Sequence, residues 1–315
     1  LRIDQHPSMH KYAPVQGESV LLDAIHTHLQ RRFDVEIDPG CIQVMSGATG
    51  GIGVVMNTLL SPGDEVILPT PYWPLIRGII QARGAVPVQV PVYTRLEEPD
   101  FDFEQVLESQ VSAKTVAIYL NSPNNPSGAS LGDSELAALA RVAKRHDLWV
   151  ITDEVYEDLY LGDEPPLPAW TRDDLKDRAI VTHSLSKAYG LAGARLGYTH
   201  GPADVMKVIR GVQTFVTYCA ARPMQIAGAQ AIQHGEAWLE NARSRYRAAA
   251  ERVSDCLGVP VPFGGTFFFF DAAPWLKGAS DCMNLLEDCI DEGVILVPGV
   301  ASGKDYPTWV RLCFT

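Results

Sequence analysis

The chain has 315 residues, 46% hydrophobic and 20% charged, which suits one large core with a satellite domain rather than a disordered chain. Its formal net charge of −12 argues against nucleic acid or an anionic membrane surface as a partner, because phosphate neutralisation needs clustered Lys and Arg. No apolar run reaches the roughly 20 residues of a spanning helix and no hydrophobic signal core opens the chain, so a cytoplasmic location is expected.

In chain order, β-rich apolar runs are predicted over Cys41–Met45, Glu65–Pro69, Val86–Pro91, Thr115–Leu120, Trp149–Thr152 and Ala179–Thr182. Between them, apolar spacing predicts helices over Ile52–Leu60, Trp73–Gln81 and Asp133–His146. Such alternation implies an α/β fold with a mostly parallel sheet covered by helices on both faces. From Glu236 the pattern changes to a long charged helix (Ala237–Cys256), the aromatic run Phe267–Phe270, a helix near Cys282–Glu292 and a short apolar run, Val294–Val297. This reads as a second, smaller α+β domain. The expected division is a large domain over 13–235 and a small one from 1–12 and 236–315.

The six cysteines (Cys41, Cys219, Cys256, Cys282, Cys289, Cys313) show no C-x-x-C and no pairing with histidine, and are expected to be reduced. His26-x-His28 is the one local histidine pair and reads as solvated helix histidines; no metal site is expected.

The chemistry concentrates in Ser184-Leu185-Ser186-Lys187-Ala188-Tyr189-Gly190-Leu191-Ala192-Gly193-Ala194-Arg195-Leu196-Gly197, directly after the run ending at Thr182. A lone lysine after a strand is usually a solvated cation. Here two hydroxyls before it and an arginine after it, amid glycines, can converge on a phosphate, and lysine is the side chain that forms a Schiff base with a carbonyl. Upstream, Trp149-Val150-Ile151-Thr152-Asp153-Glu154-Val155-Tyr156 ends an apolar strand in an acid, which fits a helix N-cap or a ligand group at a strand end. Leu120-Asn121-Ser122-Pro123-Asn124-Asn125-Pro126-Ser127-Gly128 carries turn signals after another buried strand. Val44-Met45-Ser46-Gly47-Ala48-Thr49-Gly50-Gly51-Ile52-Gly53 is a strand, a small-residue turn and a helix start, suited to facing backbone amides toward a phosphate. A dinucleotide fingerprint is its rival, but Met56 stands where the third glycine would be.

Together these motifs resemble class I/II aminotransferases, the pyridoxal-phosphate-dependent enzymes of fold type I; the lysine segment matches their S-x-S-K-x-x-G-x-x-G-x-R-x-G signature. The resemblance runs from about Lys11 to Phe314. It implies a three-layer α/β/α large domain plus a smaller α+β domain, and pyridoxal 5'-phosphate carried on Lys187 as a Schiff base. By it, Ser184, Ser186, Arg195, the Ala48 amide and Thr49 hold the phosphate. Asp153 keeps the pyridine nitrogen protonated, Tyr156 and Asn125 reach the phenolic oxygen, and Trp73 stacks on the ring, with Tyr72 as the fallback. Arg311, in Val310-Arg311-Leu312-Cys313-Phe314, clamps the substrate carboxylate with Asn125 beside it, where a surface-edge arginine is the plainer reading.

Tyr12-Ala13-Pro14-x-x-Gly17 resembles the segment whose tyrosine reaches the neighbouring subunit's cofactor, which implies a homodimer with shared active sites. Ser122 departs from the family, where proline is commoner. So do the two ends: family members have further residues before the Tyr12 segment and a last helix after the arginine strand, so the small domain is expected to be incomplete at both. The implied activity is transfer of an amino group from an L-amino acid to a 2-oxo acid. A lyase, cyclase or synthase using the same site, or a cofactor-binding sensor module of a transcription regulator, are the alternatives.

Overall fold

The computed structural model describes residues 7–315, so the first six residues of the expected 1–12 segment lie outside the described residues. Seven strands, β1 (Ile42–Met45), β2 (Glu65–Thr70), β3 (Val86–Pro91), β4 (Thr115–Asn121), β5 (Trp149–Asp153), β6 (Ala179–Ser184) and β7 (Gly197–His200), form one sheet ordered β1-β7-β6-β5-β4-β2-β3. β7 runs antiparallel to both neighbours, and every other adjacent pair is parallel.

The near-continuous apolar strands exist because both faces of the sheet are covered. Val44, Ile67, Ile118, Val150 and Val181 point into one core with α1 (Ser19–Phe33), α4 (Phe103–Glu108), α5 (Asp133–Arg145) and α8 (Arg222–His234). Met45, Leu68, Tyr119, Ile151 and Ile180 point into the other with α2 (Gly47–Leu59), α3 (Pro74–Gln81) and α7 (Ala203–Val216). The parallel register sets Asn121 beside Asp153 and Asp153 beside Thr182, so the carboxyl ends of β4, β5 and β6 form one rim.

Beyond α6 (Leu185–Ala188), the remaining chain builds α9 (Glu236–Leu257), α10 (Met283–Asp291) and an antiparallel sheet of β8 (Phe267–Asp271), β10 (Trp309–Cys313) and β9 (Val297–Pro298) in the order β8-β10-β9. The Val294–Val297 expectation is corrected to Val297–Pro298: only those two residues have a partner on β10, and Ile295 is 82% exposed. α2 begins at Gly47 rather than Ile52, because the poor helix formers of its first turns are where strands press closest. A Cβ on Gly51 would lie 2.9 Å from Thr199 Oγ1. The cysteines are all free, and among the described residues no helix is long and apolar enough to cross a membrane.

Behind the rim, on the α1 side, lies a buried polar cluster. His183 Nδ1 meets Glu157 Oε1 at 2.5 Å, His183 Nε2 meets His200 Nε2 at 3.0 Å, and Trp170 Nε1 donates to Glu154 Oε2 at 3.2 Å. Burial pulls His183 down, but the Glu157 carboxylate outweighs it and the net shift is upward; burial holds His200 well below its ordinary value. The upward shift of His183 suits a proton on Nδ1 donated to Glu157, while the Nε2 contact with His200 needs one further proton carried by either ring. One ligating atom each of Glu154, Glu157 and His183 lies within 4.8 Å of the others, but both His183 nitrogens already have partners, so the geometry is that of proton sharing. Burial and then the Glu157 charge push Glu154 up to about 8.

An acid raised in the folded state keeps its proton while the unfolded chain loses it, so its contribution is whole at or below pH 4.5 and declines as pH rises toward about 8. Glu154→Gln mimics the protonated form. Its melting temperature, compared with the parent across that window, should match near pH 4.5 and exceed the parent by a few degrees near pH 8; equal melting curves at both ends contradict the assignment.

Candidate active site

The rim of β4, β5 and β6 and the N-terminus of α2 enclose a cavity of about 350 Å³. Ala48, Thr49, Trp73, Asn125, Asp153, Tyr156, Ser184, Ser186, Lys187, Arg195 and Arg311 all line it, although they come from segments far apart in the chain. A larger groove of about 560 Å³ runs between Val259–Phe263 and β8, but acids and aromatics line it, with no lysine or arginine.

One end of the cavity is built for an anion. β6 passes straight into α6, and Ser184 caps that helix by accepting the Ser186 N–H at 3.1 Å, which leaves its own hydroxyl proton free to donate outward. Lys187 follows one residue later, on the helix. The chain then returns through Arg195, held in the left-handed region at φ 48, with Nη1 donating to Ala192 O at 2.9 Å and reaching Ser186 Oγ at 3.5 Å. Two glycines permit the approach of these groups to the α2 amides. A Cβ on Gly47, whose φ is 75, would lie 2.5 Å from Arg195 Nη2, and one on Gly197 would lie 3.1 Å from the Ala48 nitrogen and 2.5 Å from His183 O. Helix-end amides, two hydroxyls and a guanidinium around one gap make a strong anion site.

At the other end lies Asp153, 4% exposed, its Oδ2 accepting from Tyr119 Oη at 2.8 Å and its Oδ1 from the Val155 N–H at 3.3 Å. Burial raises its carboxyl to about 6, against the lowering influence of the Tyr119 hydrogen bond and of His183. Asn121 braces the rim: its Nδ2 donates to Asp153 O at 2.8 Å and its Oδ1 accepts the Asn125 N–H at 2.6 Å. Burial and the Asp153 charge push the Tyr156 phenol up, so it stays a donor. Trp73 lines the cavity, whereas Tyr72 packs into the core at 3% exposure.

Arg311 enters from the small sheet. Its Nη1 donates to Asn125 Oδ1 at 3.2 Å, its guanidinium lies 4.5 Å from the centroid of Phe267, and its buried Nε has no partner. Burial lowers its affinity for its proton. Tyr12 lies outside this cavity, 80% exposed and edge-on to Tyr218 with centroids 5.1 Å apart. Sequence reasoning missed Tyr119, Asn121 and Phe267. The first two were discoverable by strand alternation, since residues two apart share a face and Asn121 pairs with Asp153.

The profile of the family described as "Aminotransferase class I and II" matches residues 1–315. The chain is 33% identical over 308 residues to arginine–pyruvate transaminase of Pseudomonas aeruginosa, covering 96% of this chain and 77% of that protein. It is also 33% identical over 247 residues to a probable N-succinyldiaminopimelate aminotransferase of Mycobacterium tuberculosis, covering 78% of this chain and 62% of the relative. Among solved structures, N-succinyldiaminopimelate aminotransferase of M. tuberculosis superposes with a TM-score of 0.90 at 30% identity, over 99% of this chain and 83% of that one.

The glycine approach generates a test independent of turnover. Gly197→Ala should melt several degrees below the parent, because its Cβ meets the backbone at 2.5 Å. It should also weaken binding of inorganic phosphate, measured by calorimetry; unchanged melting and phosphate affinity would show that the strand can sit farther from α2.

Proposed function

As the chain belongs to the class I and II aminotransferases, we propose that its cavity binds pyridoxal 5'-phosphate and that it moves the amino group of an L-amino acid to a 2-oxo acid. The observation that carries the reading is the coexistence, in one cavity, of an anion cradle, a lysine amine and a buried carboxylate. The fit to the cofactor rests on three features of the residues. Gly47 and Gly197 leave open a cradle that side chains would fill. Asp153 is buried with a tyrosine and a backbone amide as its hydrogen-bond donors, so a protonated ring nitrogen would supply a counter-charge. Arg311 holds a buried donor without an acceptor.

When bound, pyridoxal phosphate supplies an aldehyde for amines to condense with and a ring that takes up electron density. Every other part of the work falls to the chain. Ala48, Thr49, Ser184, Ser186 and Arg195 would hold the phosphate, Asp153 the ring nitrogen, Tyr156 and Asn125 the phenolic oxygen, and Trp73 the ring face. The Arg311 fork would orient the substrate carboxylate, with Phe267 backing the guanidinium. Lys187 Nζ, once exchanged for the substrate's amine, would take the proton from the substrate Cα as general base. Residues 13–235 thus carry the cofactor, and 236–315 the carboxylate clamp.

We further propose a homodimer in which Tyr12 completes the partner's phosphate site. Its support is the exposure of Tyr12 with Phe215 (91%) and Tyr218 (45%). The activities named for the relatives differ, so the substrate pair is to be found by a panel of amino acids with pyruvate or 2-oxoglutarate, read by mass spectrometry, which also detects elimination or cyclisation.

Borohydride treatment of the holoprotein should fix a pyridoxyl group on Lys187, and Lys187→Ala should lose both label and turnover; labelling elsewhere with activity retained overturns the reading. Arg311→Ala should raise KM for the amino acid by about a hundredfold, as expected for a lost charge-assisted pair worth roughly 3 kcal/mol, while cofactor content stays near the parent's. An unaltered KM removes Arg311 from the clamp.

A further inference from the structure

Resting on that reading of the site, we propose that Tyr119 is a positioning residue for the reaction: from the core side of the sheet it fixes one oxygen of Asp153 and keeps that carboxylate charged at the cavity wall.

Tyr119 stands in the apolar stretch of β4, residues 116–120, and is 2% exposed. Packing accounts for its ring, which lies in the core with Ile151 and Ile180. Its hydroxyl needs a separate account, because an aliphatic residue would fill such a strand position without bringing a polar atom inside. The hydroxyl donates to Asp153 Oδ2 at 2.8 Å. That reach follows from the parallel register: Tyr119 is level with Ile151, and Asp153 lies two residues further along β5 on the same face.

A donor to a carboxylate favours its ionised form, whereas burial favours the neutral one. Asp153 feels both. Burial dominates and lifts it to about 6, with Tyr119 the largest influence in the opposite direction, followed by the Val155 amide and His183 on β6. The other titratable groups near it are Tyr93 after β3 and Tyr156 after β5, both pushed up and neutral, and Lys187, which lines the same cavity. Tyr119 is therefore the one described side chain that hydrogen-bonds to this carboxylate. It is not among the residues that line the cavity, so it would act through Asp153.

The test uses the holoenzyme and three variants, Tyr119→Phe, Asp153→Ala and the double variant. Tyr119→Phe keeps the ring and the packing and removes only the donor. It should weaken the dissociation constant for pyridoxal phosphate, measured by dialysis, by about tenfold, the size of a lost hydrogen bond to a charged group. It should also move the acid limb of the kcat profile to higher pH, since Asp153 must be ionised and its proton now leaves less readily. In the Asp153→Ala background, the same Tyr119 substitution should change cofactor affinity no further. An unmoved affinity and acid limb overturn the proposal, as does an equal effect with and without the Asp153 carboxyl, which would make Tyr119 merely structural. Should borohydride fail to label Lys187 in the parent, the fault lies in the cofactor assignment itself, whatever Tyr119 does.

Discussion

The constraint on which this site depends is a carboxylate held in the interior of a sheet. Asp153 ends β5, the central strand, and a charge there is costly unless its oxygens are satisfied. Much of the surrounding polar chemistry follows from that cost. Tyr119 and the Val155 amide take the two oxygens, Asn121 ties the carbonyl of the same residue to the loop carrying Asn125, and Asn125 in turn meets Arg311. The two sheets are thus joined through a chain of hydrogen bonds that starts at one buried acid.

What the sequence made legible was whatever depends on local pattern. The inner strands β2, β4, β5 and β6 stand out because burial on both faces favours apolar runs, and α9 because twenty-two residues keep one helical register. β7 did not stand out. Gly197-Tyr198-Thr199-His200 has no apolar run, and is a strand because β1 and β6 pair with it on either side, a condition set by the rest of the molecule. α2 was read five residues short, because its glycines lower helix propensity locally while the close approach of β7 requires them.

The motifs point to the cavity-lining residues, and eleven of the residues they name face one cavity from strand ends, helix starts and loops. Tyr12, expected to serve the neighbouring subunit's site, lies outside this cavity, on the surface beside Tyr218. Motif reading reaches side chains that touch a ligand, since their spacing is constrained by one small molecule. It misses those that act at one remove. Tyr119 looks like one more strand aromatic until the register places its hydroxyl against an acid, and Phe267 is one of four consecutive phenylalanines until its ring is found beneath a guanidinium. The buried Glu154, Glu157, His183 and His200 form a cluster that no motif announces, being polar letters scattered over three segments.

If Arg311 clamps the substrate carboxylate as proposed, its contact with Asn125 bears on selectivity. At rest, the guanidinium spends one N–H on a neutral amide oxygen and keeps another idle. Under that proposed role, a visiting carboxylate would trade a weak acceptor for a charged one. An amine without an acid group would leave that contact in place and gain nothing from the guanidinium. Selectivity would then come from what an acid group gains at the guanidinium rather than from any barrier to the ligands that lack one.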